Sequence, residues 1–154
     1  IYEGTNGIQA LDLLKRKLFL ENGKTFEKLL EKIREEAETC KRSSSSEIIT
    51  IGNLLYSSVN SLEDAANWLK EELIRNPENA AAGATPFLNM FGWTLGGWVM
   101  CRSSLHASNN KNLNEKFCKD KINTSLFFCT TYLPTSSSLL STIKESYKTV
   151  GTIC

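Results

Sequence analysis

A stripe of apolar residues between Ile48 and Leu73 constrains the fold more than any other feature of the sequence. Its members recur at every third or fourth position and are Ile48, Ile51, Leu55, Val59, Leu62, Ala66, Leu69 and Leu73. This is the period of an α-helix that buries one face. The spacing predicts one long helix, packed nearly antiparallel to its neighbours and ended by Asn76-Pro77. Asn76 is also the predicted cap of the next helix, with Pro77 in its first turn.

A first helix is predicted over residues 6 to 21. Its stripe consists of Ile8, Leu11, Leu14 and Leu18. Asn22-Gly23 is expected to end this helix, because glycine readily takes the left-handed backbone conformation that is common at helix ends. The helix lies close to the start of the chain, and a separate long bundle is already available without it. Its natural partner is therefore expected to be missing from the chain.

A second helix is predicted from the stripe Phe26, Leu29, Leu30, Ile33 and Ala37. This helix is expected to end near Cys40. The polar run at residues 41–46 that follows is too hydrophilic to bury surface and is expected to be a flexible connection. Within it, Ser44 followed three positions later by Glu47 predicts a capping box.

The most apolar helix is predicted to follow Pro77 and to end near Asn109-Asn110. Pro86 is expected to kink it, and three glycines are expected to permit close approach of another helix. Those glycines are Gly92, Gly96 and Gly97. Two weaker stripes follow, one from Leu113, Phe117, Ile122, Leu126 and Phe127, the other from Leu139, Leu140, Ile143 and Tyr147. Pro134 divides them, and Gly151 is expected to close the last helix. Because no segment alternates as a strand would, the sequence predicts an all-α fold, an up-and-down bundle of long helices.

Charge and composition exclude several classes of function. Eighteen Lys and Arg against seventeen Asp and Glu leave a net charge of +1, which gives no basic excess for a nucleic acid or an anionic membrane. The apolar run around Trp93 and Trp98 is shorter than the roughly twenty residues that a membrane span needs. We therefore predict neither a nucleic-acid partner nor a membrane span.

The cysteines and the histidine give no sign of a metal site or a disulfide framework. Five cysteines are odd in number and include no CxxC pair, which fits a reducing compartment. Cys101 and Cys129 are expected to act as small core residues. His106, at the end of the apolar helix, has no second histidine to complete a ligand set. No metal site is predicted.

The opening string of the chain carries a resemblance to a known family. It reads Ile1-Tyr2-Glu3-Gly4-Thr5-Asn6-Gly7-Ile8-Gln9. It is similar to the segment that carries the catalytic carboxylate in FAD-dependent acyl-CoA dehydrogenases, where a YEGT-type turn leads into the last helix of the catalytic fold. The string ALDLLKRKL at 10–18, the segment from Gly83 to Trp98 and Leu133-Pro134 resemble long members with an extra C-terminal helical domain. Lys15 departs from the family's LDLLGRKL, which has glycine at that position.

The resemblance implies a domain organisation. Residues 1–22 would be the end of the dehydrogenase C-terminal helical domain, with the YEGT turn and its last helix, and residues 23–154 would be the extra helical bundle. Because the opening has no Met and no signal peptide, the chain is expected to begin within a longer protein. The N-terminal helical domain and the β-domain, which hold most of the flavin and the CoA in the family, would precede it.

The resemblance also implies a reaction, the oxidation of an acyl-CoA to its 2,3-enoyl thioester. Glu3 would be the base that removes the α-proton, while the β-hydride passes to FAD. Its backbone N–H would help to polarise the thioester carbonyl. Tyr2 and Gly4 would line the substrate site. The residues expected to contact the flavin are Thr5, Asn6 and Gly7.

Partners and setting follow from the same resemblance. They are an acyl-CoA substrate of fatty acid β-oxidation, an electron-transferring flavoprotein as acceptor, a homo-oligomer, and a bacterial cytosol or mitochondrial matrix. The alternative is a truncated or split product that acts only as a non-catalytic helical interaction module. Bound flavin discriminates between the two, and the isolated chain is expected to be inactive.

Overall fold

The computed structural model describes residues 4–110, 112–145 and 147–150, and these residues form helices joined by short connections. In chain order the helices are α1 (Gly4–Lys15), a 3-10 segment (Lys17–Gly23), α2 (Lys24–Lys41), α3 (Ser46–Arg75), α4 (Pro77–Ala82), α5 (Ala84–Asn109), α6 (Glu115–Tyr132), α7 (Thr135–Glu145) and α8 (Tyr147–Val150). The described part of the chain contains no strand. The all-α prediction is confirmed.

The long helix α3 lies at the centre of the bundle and packs against α2, α5, α6 and α7. Its predicted stripe is fully buried from Ile48 to Leu69, and only Leu73 is half-buried. The helix ends at Arg75, and the Asn76 side chain then accepts hydrogen bonds from the N–H groups of the first turn of α4. Pro77 occupies the first position of α4. The predicted long helix and the cap that follows it are confirmed.

The N-terminal cap of α3 is Ser45, one residue later than predicted. Ser45 Oγ accepts a hydrogen bond from the N–H of Ile48 at 3.4 Å and donates one to Glu47 Oε2 at 2.7 Å. The predicted capping box of Ser44 and Glu47 is therefore wrong by one position. Four successive serines offer equivalent caps, so the start of the helix follows from the position of the fully buried Ile48 rather than from the serines themselves.

The first helix is shorter than predicted, since α1 ends at Lys15 and not near residue 21. The backbone of Leu20 is extended, and Glu21 and Asn22 follow at φ 52° and 59°. Gly23 continues in the same region at φ 89°, which glycine adopts without strain. This turn reverses the chain into α2. The sequence predicts the glycine correctly but places the end of the helix too late.

The apolar face of α1 packs against α5. Leu14 and Leu18 are buried, Leu11 is half-buried, and Ile8 is 65% exposed. The expectation that the partner of this helix is missing is therefore wrong for Leu14 and Leu18, which the chain's own bundle covers.

The apolar segment after Pro77 consists of two helices, so the predicted single helix with a kink at Pro86 is wrong. The break lies at Gly83, where a Cβ would stand 3.1 Å from Leu69 Cδ2 and 3.2 Å from Ile143 Cγ2. Pro86 is the third residue of α5. In the first turn the missing N–H leaves no intrahelical bond unmade, so this proline causes no kink.

Two of the three predicted close-approach glycines pack against side chains from the C-terminal half of the chain. A Cβ at Gly96 would stand 2.6 Å from Phe128 Cζ, and one at Gly97 would stand 2.8 Å from the Leu133 side chain. Gly92 has no atom within 4 Å of its Cβ position, so the prediction is wrong there. Gly52 of α3, which no sequence pattern predicts, also permits close approach, because its Cβ would meet the α2 backbone 2.8 Å from Ala37 O.

Helix α6 buries a different face from the one predicted. Phe117 is 55% exposed and Phe127 is 67% exposed, whereas Ser125 and Cys129 are buried. The predicted apolar stripe of α6 is therefore wrong for Phe117 and Phe127. The division between α6 and α7 at Pro134 is confirmed, and Gly151 lies outside the described residues.

Three buried hydroxyl groups join α3, α5 and α7. Ser58 Oγ lies 2.7 Å from Thr94 Oγ1 and 2.8 Å from Ser136 Oγ, and Thr94 Oγ1 donates to Met90 O at 2.9 Å. Because the Thr94 proton goes to the carbonyl, Ser58 donates to Thr94 and Ser136 donates to Ser58. Each hydroxyl then donates one hydrogen bond, and the network is satisfied without solvent.

We expect Gly52→Ala to lower the free energy of unfolding by about 1–3 kcal/mol, because the new methyl group would force α2 and α3 apart. The matched control is Gly92→Ala, also within a long helix but facing open space. It should raise the free energy of unfolding by about 0.5–1 kcal/mol, since alanine loses less backbone entropy on folding. Urea denaturation measures both. A loss at Gly92 as large as that at Gly52 would contradict the assigned packing.

We expect Ser58→Ala to cost about 1–3 kcal/mol of stability, because it leaves the hydroxyls of Thr94 and Ser136 buried without their shared partner. Ser57→Ala, at the neighbouring exposed position, should change the stability by less than about 0.5 kcal/mol. Thermal unfolding of both variants measures the difference. Equal effects would show that the hydroxyl network contributes nothing.

Candidate functional site

The predicted site residues lie at the N-terminal end of α1. Gly4 is the first residue of that helix, and Thr5, Asn6 and Gly7 complete its first turn and are exposed. Tyr2 and Glu3, the predicted substrate and base positions, lie outside the described residues. The structure thus brings the three predicted flavin contacts together on one exposed helical turn.

The N-terminal end of α1 lies at the exposed turn Thr5 to Gly7. The N-terminal end of a helix carries the positive end of the helix dipole, which favours anionic groups. A Cβ placed on Gly7 would find no atom of the described residues within 4 Å. Diphosphate or ribose oxygens suit such an end.

The rest of α1 fixes the direction of this turn. Ala10, Leu13 and Leu14 are buried, and the helix packs against α5. At the other end Arg16 donates two hydrogen bonds to Asp12, at 2.6 and 2.9 Å, and these hold the pKa of the Asp12 carboxyl below its usual value. The exposed turn is therefore the end of a helix anchored along its length.

An apolar groove of about 570 Å³ lies beside α1, between the 3-10 segment, α2 and α5. Its apolar lining is Leu13, Leu18, Leu20, Phe26, Leu29, Leu88 and Phe91. Three lysines, Lys17, Lys28 and Lys32, stand in the lining together with Gln9 and Thr25, and no acidic side chain among the described residues does. Concave apolar sites with a few polar groups are typical of ligand or segment binding. No sequence pattern predicts this groove, because its walls come from α1, the 3-10 segment, α2 and α5.

A second cavity of about 540 Å³ surrounds His106, between α5 and α6. Its lining includes Val99, Arg102, Phe117 and Lys121. His106 is exposed near the end of α5, and the side chain of Asn110 lies 3.4 Å from its Nε2. Within the described ranges no three His, Cys, Asp or Glu side chains are grouped so as to hold a metal ion.

Cys40, Cys101 and Cys129 are buried in the core, as expected for Cys101 and Cys129. The structure adds a contact that the sequence does not predict, because Cys40 Sγ of α2 lies 2.8 Å from Cys101 Sγ of α5. The Cys101 thiol beside Cys40 lowers the pKa of Cys40, and the same hydrogen bond, with burial, raises the pKa of Cys101. Burial raises the pKa of Cys129 to about 12.

None of the helices in the described part of the chain combines the length and the apolar character that crossing a membrane requires.

Comparison with known proteins identifies the family. Residues 29–153 match the family described as acetyl-CoA dehydrogenase C-terminal like. The chain belongs to this acyl-CoA dehydrogenase C-terminal family. The match to the family begins within α2 and continues through the bundle around α3. The chain thus resembles the C-terminal part of acyl-CoA dehydrogenases, as predicted, and α1 with its exposed first turn precedes the matched range.

A relative within the acyl-CoA dehydrogenases aligns with almost the whole chain. The 3-methylmercaptopropionyl-CoA dehydrogenase of Ruegeria pomeroyi (strain ATCC 700808 / DSM 15171 / DSS-3) is 31% identical over 149 residues. The alignment covers 95% of this chain and 25% of the relative. The chain therefore spans about a quarter of the length of the dehydrogenase that it matches.

Proposed function

We propose that this chain contributes to an FAD-dependent acyl-CoA dehydrogenase that oxidises an acyl-CoA to the 2,3-enoyl-CoA, with Glu3 as the base. The family match over residues 29–153 carries the proposal. The relative, whose name is that of an acyl-CoA dehydrogenase, supports the same reaction class. Residues 1–22 would be the end of the catalytic fold and residues 23–154 the extra bundle.

Glu3 has the chemistry that the first step needs. The α-proton of a thioester is weakly acidic, so its base must lie within hydrogen-bond reach and have a pKa close to neutrality. An apolar acyl chain against the carboxylate would remove water and raise that pKa. The backbone N–H of Glu3 would stabilise the negative charge that develops on the thioester oxygen. Tyr2 and Gly4 on either side would line the substrate site.

The first turn of α1 fits the flavin. Thr5, Asn6 and Gly7 are exposed, and the positive end of the helix dipole there favours the diphosphate of the flavin cofactor. Bound FAD would supply the acceptor for the hydride of the β-carbon. Because Glu3 directly precedes α1, the anchoring of this helix on α5 would position the base and the flavin-binding turn together.

The bundle from residue 23 onward would act as a packing or oligomerisation domain. Val99 and Phe117 are each 55% exposed and line one cavity, as expected of a surface that another subunit covers. A homo-oligomer is the assembly that we propose, with an electron-transferring flavoprotein as electron acceptor. The setting would be fatty acid β-oxidation in a bacterial cytosol or mitochondrial matrix.

We expect the purified 154-residue chain to lack bound flavin and to bind added FAD weakly, because it spans about a quarter of the length of the dehydrogenase that it matches. Absorbance in the flavin bands, followed during titration with FAD and then an acyl-CoA, measures this. Tight flavin binding with bleaching by substrate would contradict it and would make the chain itself an enzyme.

In the flavin-loaded enzyme, Glu3→Gln should reduce kcat by at least about 10²–10⁴-fold, because the amide cannot accept the α-proton. Flavin absorbance and acyl-CoA affinity should be retained, since size and polarity change little. Glu31→Gln, an exposed position on α2, is the matched control and should keep full turnover. Full turnover in Glu3→Gln would assign proton removal to another group. Loss in both variants would indicate damage to the bundle.

A further inference from the structure

We propose that Cys40 and Cys101 are a redox-active pair that closes to a reversible disulfide between α2 and α5. Their Sγ atoms lie 2.8 Å apart, about 0.75 Å more than a disulfide bond of about 2.05 Å. Both residues are fully buried, and each stands on a helix of the core. Closing the bond requires only a small movement of two facing side chains.

The close packing of the helices holds the pair in contact. Cys40 lies at the seam between α2 and α3, where a Cβ on Gly52 would stand 2.7 Å from Cys40 Cβ. Cys101 Sγ also lies within 3.8 Å of the carbonyl oxygen of Glu36 on α2. The two sulfurs therefore face each other at a seam that α2, α3 and α5 share.

Either thiol of the pair can donate the hydrogen bond to the other. Donation from Cys101 lowers the pKa of Cys40, which favours Cys40 as the attacking sulfur, whereas the charge of Glu36 raises that pKa. Of the other described cysteines, burial holds Cys129 in its thiol form, and Cys118 is half-buried without a sulfur contact. Cys40 and Cys101 are therefore the proposed disulfide pair because their sulfur atoms are in contact, and not because either side chain is exposed.

Hydrogen peroxide is the oxidant that the proposal names. The Cys40 thiolate attacks one peroxide oxygen, an S–O bond forms, the O–O bond breaks, and the departing hydroxide takes up the proton that Cys40 released. The Cys101 sulfur then attacks Cys40 Sγ, the S–O bond breaks, and water leaves with the Cys101 proton. Two thiols lose two electrons and one peroxide becomes two waters. Because both sulfurs are buried, the reaction needs a transient local opening and is slow.

The test exposes the native 154-residue chain to hydrogen peroxide, then denatures it and alkylates the remaining thiols. We expect a product that is lighter by two hydrogen atoms before alkylation, with the tryptic peptides of Cys40 and Cys101 linked, and recovery of both thiols with dithiothreitol. Cys118→Ser is the matched control and should form the same link. Cys40→Ser and Cys101→Ser should each lose it.

The wild-type peptide map alone decides the proposal if a serine variant fails to fold. Alkylation of both Cys40 and Cys101 after an exposure that has already oxidised Cys118 would overturn it, and so would a link that joins either one to a different cysteine. Urea unfolding of the oxidised chain gives a second measure. Its midpoint should be higher than that of the reduced chain, because the link constrains the unfolded chain, and an unchanged midpoint would contradict a bond between α2 and α5.

Discussion

The burial of one face of α3 is the interaction on which the rest of the structure depends. From Ile48 to Leu69 the stripe is fully buried, and each large aliphatic side chain removed from water contributes about 1.5–3 kcal/mol. α2, α5, α6 and α7 all pack around this helix. α5 also packs against α1, α6 and α7, so these helices cover one another's apolar faces around the central helix.

Small and polar residues then determine how closely the helices approach. Gly52 brings the α2 backbone against α3, and Gly96 and Gly97 give room to the side chains of Phe128 and Leu133. Where Ser58 meets its two hydroxyl partners, hydrogen bonds replace apolar contact. Such contacts contribute less energy than the stripe does, but they require one particular register, because a shifted helix would leave hydroxyls unpaired or backbones in collision.

The candidate site depends on this bundle through a single helix. α1 packs on α5 and presents its first turn, Thr5 to Gly7, at the surface. The neighbouring groove adds an apolar wall with Lys17, Lys28 and Lys32, and no acidic side chain of the described residues lines it. The buried face of α1 thus fixes the orientation of the exposed turn. The proposed base Glu3 directly precedes Gly4 in the sequence.

The sequence by itself determined the fold class, α3 with the Asn76 cap that follows it, and the resemblance that named Glu3 and the first turn of α1, because periodicity and local strings are properties of neighbouring residues. Tertiary structure decided the rest. It ended α1 at Lys15, moved the helix break from Pro86 to Gly83, and brought Cys40 and Cys101 into contact. These outcomes depend on which distant surfaces meet, and the pattern along one segment carries no information about the shape of the surface that covers it.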